Sequence, residues 1–248
     1  MDDYGLGVEE IPLVGGDMNL VVRIGDTVRR PREPAGVRAL LQWYERVDFD
    51  GAPRLLGDDE RGREILSYVE GEPGHAPVPH GDDVVAAIGR LLRRAHDAQT
   101  GFVPPPEPGW YRSLKGLPEV VGHLDLFWTN VVFRAGLPVA LIDWELASPT
   151  TRTLEVALAA TYWAGIRIDS QLDEWGISKE HRGQRLRILC DAYGLDAVQR
   201  GSLFAELITY RRGRIAKGAF RGTTPRSVIV ANLRWSEAHA AELGTFLA

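Results

Sequence analysis

The chain has 248 residues, of which 44% are hydrophobic and 25% charged, with 27 glycines, 15 prolines and one cysteine. These values suit a globular protein with a sizeable core and exclude a disordered tail, a collagen-like chain and a disulfide-stapled one. The net charge of -5 argues against nucleic acid as a partner. The most apolar run, Val156 to Ile166, is too short to cross a bilayer, so no membrane role is expected. A lone cysteine, Cys190, and the acidic start Met1-Asp2-Asp3 point to a cytoplasmic chain without a leader.

Taken in chain order, residues 10–14, 20–24 and 27–30 read as strands, with Gly15-Gly16 and Gly25-Asp26 as turns. Val37, Leu40, Leu41 and Tyr44 recur at helical spacing, which predicts an amphipathic helix over 35–47. Residues 53–56 and 64–69 read as two further strands. The stretch 71–81 is rich in Pro and Gly and reads as a linker. Asp82 or Asp83 then caps a helix carrying Val85, Ile88, Leu91, Leu92 and Ala95 on one face. Short strands follow around 120–124, 131–134 and 140–142. From Thr153 onward the pattern is helical, over 153–165, 180–194, 197–219 and 226–243.

The stretch with most chemistry is Val121-Gly122-His123-Leu124-Asp125-Leu126-Phe127-Trp128-Thr129-Asn130, followed by Leu141-Ile142-Asp143-Trp144-Glu145. Asp125, Asn130 and Asp143 are short oxygen-bearing side chains at the edges of apolar strands. Such side chains suit Mg²⁺, and phosphoryl transfer needs them beside a nucleotide together with a carboxylate that orients the attacking hydroxyl.

On these residues the chain resembles the aminoglycoside phosphotransferase and choline kinase family, relatives of the protein kinases. The resemblance also takes in Gly15-Gly16, Val28-Arg29-Arg30-Pro31, Arg63 to Gly71 and Leu91 to His96. It implies a bilobal α+β kinase-like fold, with a small antiparallel β-rich lobe over 1–70 for nucleotide and a larger, mostly helical lobe over 71–248 for catalysis and substrate. Asp125 would accept the hydroxyl proton, Asn130 and Asp143 would hold Mg²⁺, and His123 would anchor the loop, with Glu145 nearby. Ser67, Tyr68 and Val69 would form the hinge that binds the base of ATP or GTP, and Gly15-Gly16 the turn over the phosphates.

The chain departs from the family pattern in four places. No lysine lies on the third strand; by distance from Pro31, Arg29 stands at the family's lysine position, with Glu33 or Glu45 as ion-pair partner. Leu124 replaces the glycine between His123 and Asp125. After Asp143 the usual acidic pattern becomes Ser148 to Glu155, and Glu155 stands for the structural aspartate. Residues 150–248 carry 14 Lys and Arg against 10 Asp and Glu, a net of +4, and no acid lies between Leu207 and Ser236. The acceptor is therefore expected to be a neutral or anionic hydroxylated small molecule rather than a polyamine sugar. A second function stays open, a pseudokinase-like binding or immunity protein with little or no turnover.

Overall fold

The computed structural model describes residues 9–13, 21–74, 81–106, 109–111, 118–218 and 224–248. Strands β1 (Ile11–Pro12), β2 (Val22–Ile24), β3 (Thr27–Arg30), β4 (Leu55–Asp58) and β5 (Glu64–Ser67) form an antiparallel sheet of order β1-β2-β3-β5-β4. In it Val28 faces Leu66, Arg29 faces Ile65 and Arg30 faces Glu64.

Helix α1 (Ala35–Arg46) packs beside the sheet, burying Val37, Leu40, Leu41 and Tyr44, the stripe legible in the sequence. It is also fixed to the rest of the chain. Tyr44 donates its hydroxyl to the Ala95 carbonyl at 3.1 Å, and Trp43 Nε1 donates to the Ala98 carbonyl at 2.8 Å. Both acceptors lie at or just beyond the end of α2 (Asp82–Asp97). Gly36 donates to the Gly109 carbonyl, and a Cβ at Gly36 would meet that oxygen and the Trp110 ring at 2.5 Å.

The expected linker contains a strand. β6 (Glu72–Pro73) pairs antiparallel with β8 (Val131–Arg134), and β8 pairs in turn with β9 (Leu137–Leu141). Its two residues and its proline place it at a sheet edge, where no ladder donor is needed from Pro73. β7 (Val120–Gly122) pairs with β10 (Ser148–Thr150), a strand the sequence reading did not anticipate.

The helical half comprises α3 (Arg152–Trp163), α4 (Asp169–Glu174), α5 (Arg182–Tyr193), α6 (Ala197–Ala216) and α7 (Arg226–Gly244). The Thr151 hydroxyl accepts from Leu154 N–H and caps α3. Val156, Ala157, Ala159 and Ala160 of α3 are all fully buried, so this helix is the spine of the larger lobe. Asp196 and Gln199 close a reciprocal capping box at the start of α6. Short α4 falls between the predicted helices 153–165 and 180–194. Cys190 is buried on α5, its thiol pushed up to about 12 by burial, as suits a packing residue. Among the described residues no helix is long and apolar enough to cross a membrane.

Candidate active site

The β8–β9 hairpin sets two of the three expected polar residues side by side. Asn130 ends a 3-10 turn just before β8, and Asp143 follows β9 by two residues. Val131 pairs with Leu141, and Ile142 N–H donates to the Asn130 carbonyl at 2.9 Å. Asn130 in turn grips Asp125: its amide nitrogen donates to the Asp125 carbonyl at 2.9 Å and to the Asp125 carboxylate at 3.2 Å. The amide oxygen of Asn130 is thereby turned away from Asp125.

Two strained residues hold this geometry. Leu124 has φ +63° and Asp143 has φ +62°, a left-handed conformation that costs a side-chain-bearing residue roughly 1–2 kcal/mol. The strain at Leu124 is held by Glu155 of α3. The Glu155 carboxylate, fully buried, accepts from His123 N–H at 2.8 Å and from Leu124 N–H at 3.1 Å. Burial raises its pKa to about 7, while the two N–H donors pull it down and the Asp125 charge raises it further. Gly122 leaves room for that carboxylate, since a Cβ there would lie 2.7 Å from Glu155 Oε2.

His123 ties the segment of Asp125 to the segment of Asp143. Its Nε2 bonds the Ile142 carbonyl at 2.8 Å, and its ring lies 4.7 Å from that of Trp144. Nε2 must therefore carry the proton. Burial is the largest influence on this imidazole and lowers its pKa to about 4, so it is neutral at physiological pH. A neutral, buried ring whose one N–H is held by a backbone carbonyl is an anchor rather than a general acid.

The arginine that faces Asp143 is Arg30, not Arg29. Arg30 Nη1 donates to Asp143 Oδ1 at 2.9 Å, and Nη2 bonds Glu33. Glu64 and Glu145 lie 3.8 and 3.9 Å from the same guanidinium. Burial alone would lower the Arg30 pKa, but Asp143, Glu33 and Glu64 outweigh it and the net shift is upward. Glu33 is raised to about 7, chiefly by burial, with Arg30 opposing. Arg29 points to the other face of the sheet, where it donates to Thr27 Oγ1 at 2.7 Å and lies 3.9 Å from Asp59. Glu45 is exposed on α1, and among the described residues it is not an ion-pair partner of either arginine. Strand periodicity carried the signal for Arg30: Val28 packs on the core, so the residue two positions on shares its face.

The expected hinge lies beside the sheet. Ser67 N–H donates to the Arg54 carbonyl and Tyr68 N–H to the Asp26 carbonyl, at 2.9 and 2.8 Å. The Arg23 guanidinium stacks 3.6 Å from the Tyr68 ring centroid. Among the described residues, only Val69 of the three keeps its backbone N–H clear of an internal bond. Gly15-Gly16 lie outside the described residues.

Among the described residues no group of three or more His, Cys, Asp or Glu side chains is arranged to hold a metal ion. Asn130 and Asp143 offer two hard oxygen donors. That chemistry fits Mg²⁺, which keeps several waters and takes further ligands from phosphate.

A small antiparallel sheet, a hairpin-borne pair of polar residues and a helical lobe define a kinase-like fold. The solved structures agree. A choline/ethanolamine kinase family protein from Mesorhizobium loti superposes with a TM-score of 0.62 at 15% identity, covering 98% of this chain and 94% of that one. The GDP complex of wild-type aminoglycoside 2'-phosphotransferase-IIIa gives 0.55 at 13% identity, covering 96% and 94%. An aminoglycoside phosphotransferase of Streptomyces rimosus, in complex with ADP and streptomycin, gives 0.53 at 18% identity, covering 79% and 90%. The profile of the phosphotransferase enzyme family matches residues 110–188, the segment that holds Asp125, Asn130 and Asp143. A trifolitoxin immunity protein of Rhizobium leguminosarum bv. trifolii is 40% identical over 211 residues, covering 82% of this chain and 80% of that protein. The chain belongs to the phosphotransferase enzyme family.

Proposed function

We propose that the chain is a phosphotransferase that moves a phosphoryl group from Mg²⁺-bound ATP or GTP to a hydroxyl of a small neutral or anionic molecule in the cytoplasm. The observation that carries the reading is the bonded pair Asp125–Asn130 with Asp143 one hairpin away. Asp125 orients the acceptor hydroxyl and takes its proton as the hydroxyl oxygen bonds to the γ-phosphorus and the bond to the β-phosphate oxygen breaks, releasing the nucleoside diphosphate. The Asn130 amide holds that carboxylate in place and turns its own oxygen, with Asp143, toward the metal position. Bound Mg²⁺ supplies neutralisation of the phosphate charge.

Arg30, already at Asp143, takes the phosphate-binding place of the family lysine, and Glu33 orients it. Val69, between Tyr68 and Glu70, presents the backbone group that reads the base, with Ser67 and Tyr68 shaping the edge. His123 and Glu145 support the loop and the arginine. In this reading residues 1–70 bind nucleotide, and residues 71–248 hold the catalytic loop and the acceptor. Nothing in it calls on nucleic acid or membrane.

A second reading has its own observations. The 40% identical relative is an immunity protein, and Arg30 here is bonded directly to the carboxylate proposed for the metal. In that reading the fold binds its target and turns over little. Nucleotide hydrolysis with Mg²⁺, by wild type and Asp125→Ala, separates the two. Hydrolysis by wild type at least tenfold above the variant supports the phosphotransferase. Equal rates contradict it and leave the binding protein.

A further inference from the structure

Among the described residues, two buried guanidiniums in the larger lobe have no counter-charge. Arg167 and Arg211 are only 8% and 7% exposed. Among the described residues neither lies within ion-pair distance of a carboxylate. An unpaired buried charge is among the costliest features a fold can carry. Burial, with repulsion from Arg167 second, lowers the Arg211 pKa to about 9.

The two arginines are not alike. Arg211 is spoken for by neutral acceptors: the Asn232 carbonyl at 2.7 Å, the Ile166 carbonyl at 3.2 Å and the Ser236 hydroxyl. It pins α7 to the loop that follows α3. Arg167 sits on that loop and lies over two neighbouring rings, 4.6 Å from the Tyr162 centroid and 4.2 Å from that of Trp175. Trp128 packs edge-on behind both rings, 4.8 Å from that of Trp175 and 5.8 Å from that of Tyr162, and so backs the aromatic cage that holds Arg167. Its polar contact is with the Tyr162 hydroxyl, and Arg167 Nε is buried without a partner, as is Trp128 Nε1. Aromatic faces attract the cation but do not neutralise it.

The cage adjoins the catalytic loop. Phe127 and Trp128 lie between Asp125 and Asn130 in sequence, Phe127 packs 5.4 Å from the Tyr162 ring, and the Asp125 charge helps to raise the Tyr162 hydroxyl pKa. Phe127, Tyr162 and Trp175 each keep part of their surface open. We propose that Arg167 in its aromatic cage binds a carboxylate or phosphate group of the acceptor, so that the acceptor is an anionic hydroxylated small molecule. Where the hydroxyl goes rests on the phosphotransfer reading, since it must reach Asp125. The anion site itself does not.

The test titrates the full chain with glycerol 3-phosphate, glycerate and glycerol at constant ionic strength and without nucleotide. The readout is tryptophan fluorescence, since the Trp175 ring centroid lies 4.2 Å from the guanidinium. The anionic probes should bind at least tenfold more tightly than glycerol. Arg167→Met should lose that preference, and Arg167→Lys should recover part of it. Equal affinity of wild type for glycerol and both anions overturns the proposal. So does an unchanged preference in a folded Arg167→Met protein, and so does failure of both anions to bind wild type at all. If Arg167→Met does not fold, the wild-type comparison and Arg167→Lys still decide. Because no nucleotide is present, a chain that binds the anions but never transfers phosphate would refute only the phosphotransfer reading.

Discussion

Replacing Glu155 by alanine should collapse the loop that presents Asp125. Two buried N–H groups, those of His123 and Leu124, would lose their acceptor, at 2.8 and 3.1 Å in the native chain. Each buried donor left without a partner costs about 1–3 kcal/mol. Relief of the left-handed conformation at Leu124 returns about 1 kcal/mol. The net loss should be about 3 kcal/mol, read from urea unfolding followed by circular dichroism. Glu155→Gln keeps one acceptor and should lose less. The same carboxyl gives a pH signature. Its folded pKa, about 7, lies above the usual 4.5, so the native chain keeps a proton that the unfolded chain has released. The contribution of Glu155 to stability should therefore fall as pH rises from about 4.5 to 7, and a shift of this size is worth about 3 kcal/mol. Glu33, also raised to about 7, acts with the same sign and buried His123 and His96, lowered to about 4 and 3, with the opposite one, so the Glu155 part is read as the change in pH slope between wild type and Glu155→Gln. A loss below 1 kcal/mol in Glu155→Ala, or an identical pH slope in Glu155→Gln, would refute the anchoring role.

Two further outcomes follow from the geometry. Arg30→Met leaves Glu33, Glu64, Asp143 and Glu145 without their shared guanidinium and should destabilise by about 3–5 kcal/mol while weakening nucleotide binding; Arg29→Met, which loses only Thr27 and a 3.9 Å approach to Asp59, should cost about 1 kcal/mol or less and leave nucleotide affinity unchanged, both by denaturation and calorimetry. Gly122→Ala puts a methyl carbon 2.7 Å from Glu155 and from Thr150, and should lower the melting temperature measurably, whereas Gly201→Ala, with open space around it, should not.

The helices and most strands were legible because their apolar spacing survives in the fold: α1 buries the stripe Val37, Leu40, Leu41 and Tyr44. The pairing of Asn130 with the Asp143 strand was implicit in two short strands and a turn. What the sequence hid depends on long-range contact. The two-residue strand Glu72–Pro73 exists only because β8 offers it an edge. The choice of Arg30 over Arg29 turns on which face of β3 meets the interior. Glu64, fully buried beneath Arg30 and Arg38, looks in sequence like any strand-end acid. Arg167 gave no signal at all, because its cage is assembled from three separate segments of chain.

The central claim is that Asp143 serves the metal–nucleotide complex while Asp125 serves the acceptor. Calorimetry with a non-hydrolysable nucleotide, with and without Mg²⁺, tests it on three proteins. Wild type and Asp125→Ala should bind with equal, Mg²⁺-dependent affinity, and Asp143→Ala should lose the Mg²⁺-dependent part. Asp143→Ala binding as tightly as wild type in the presence of Mg²⁺ would contradict the account.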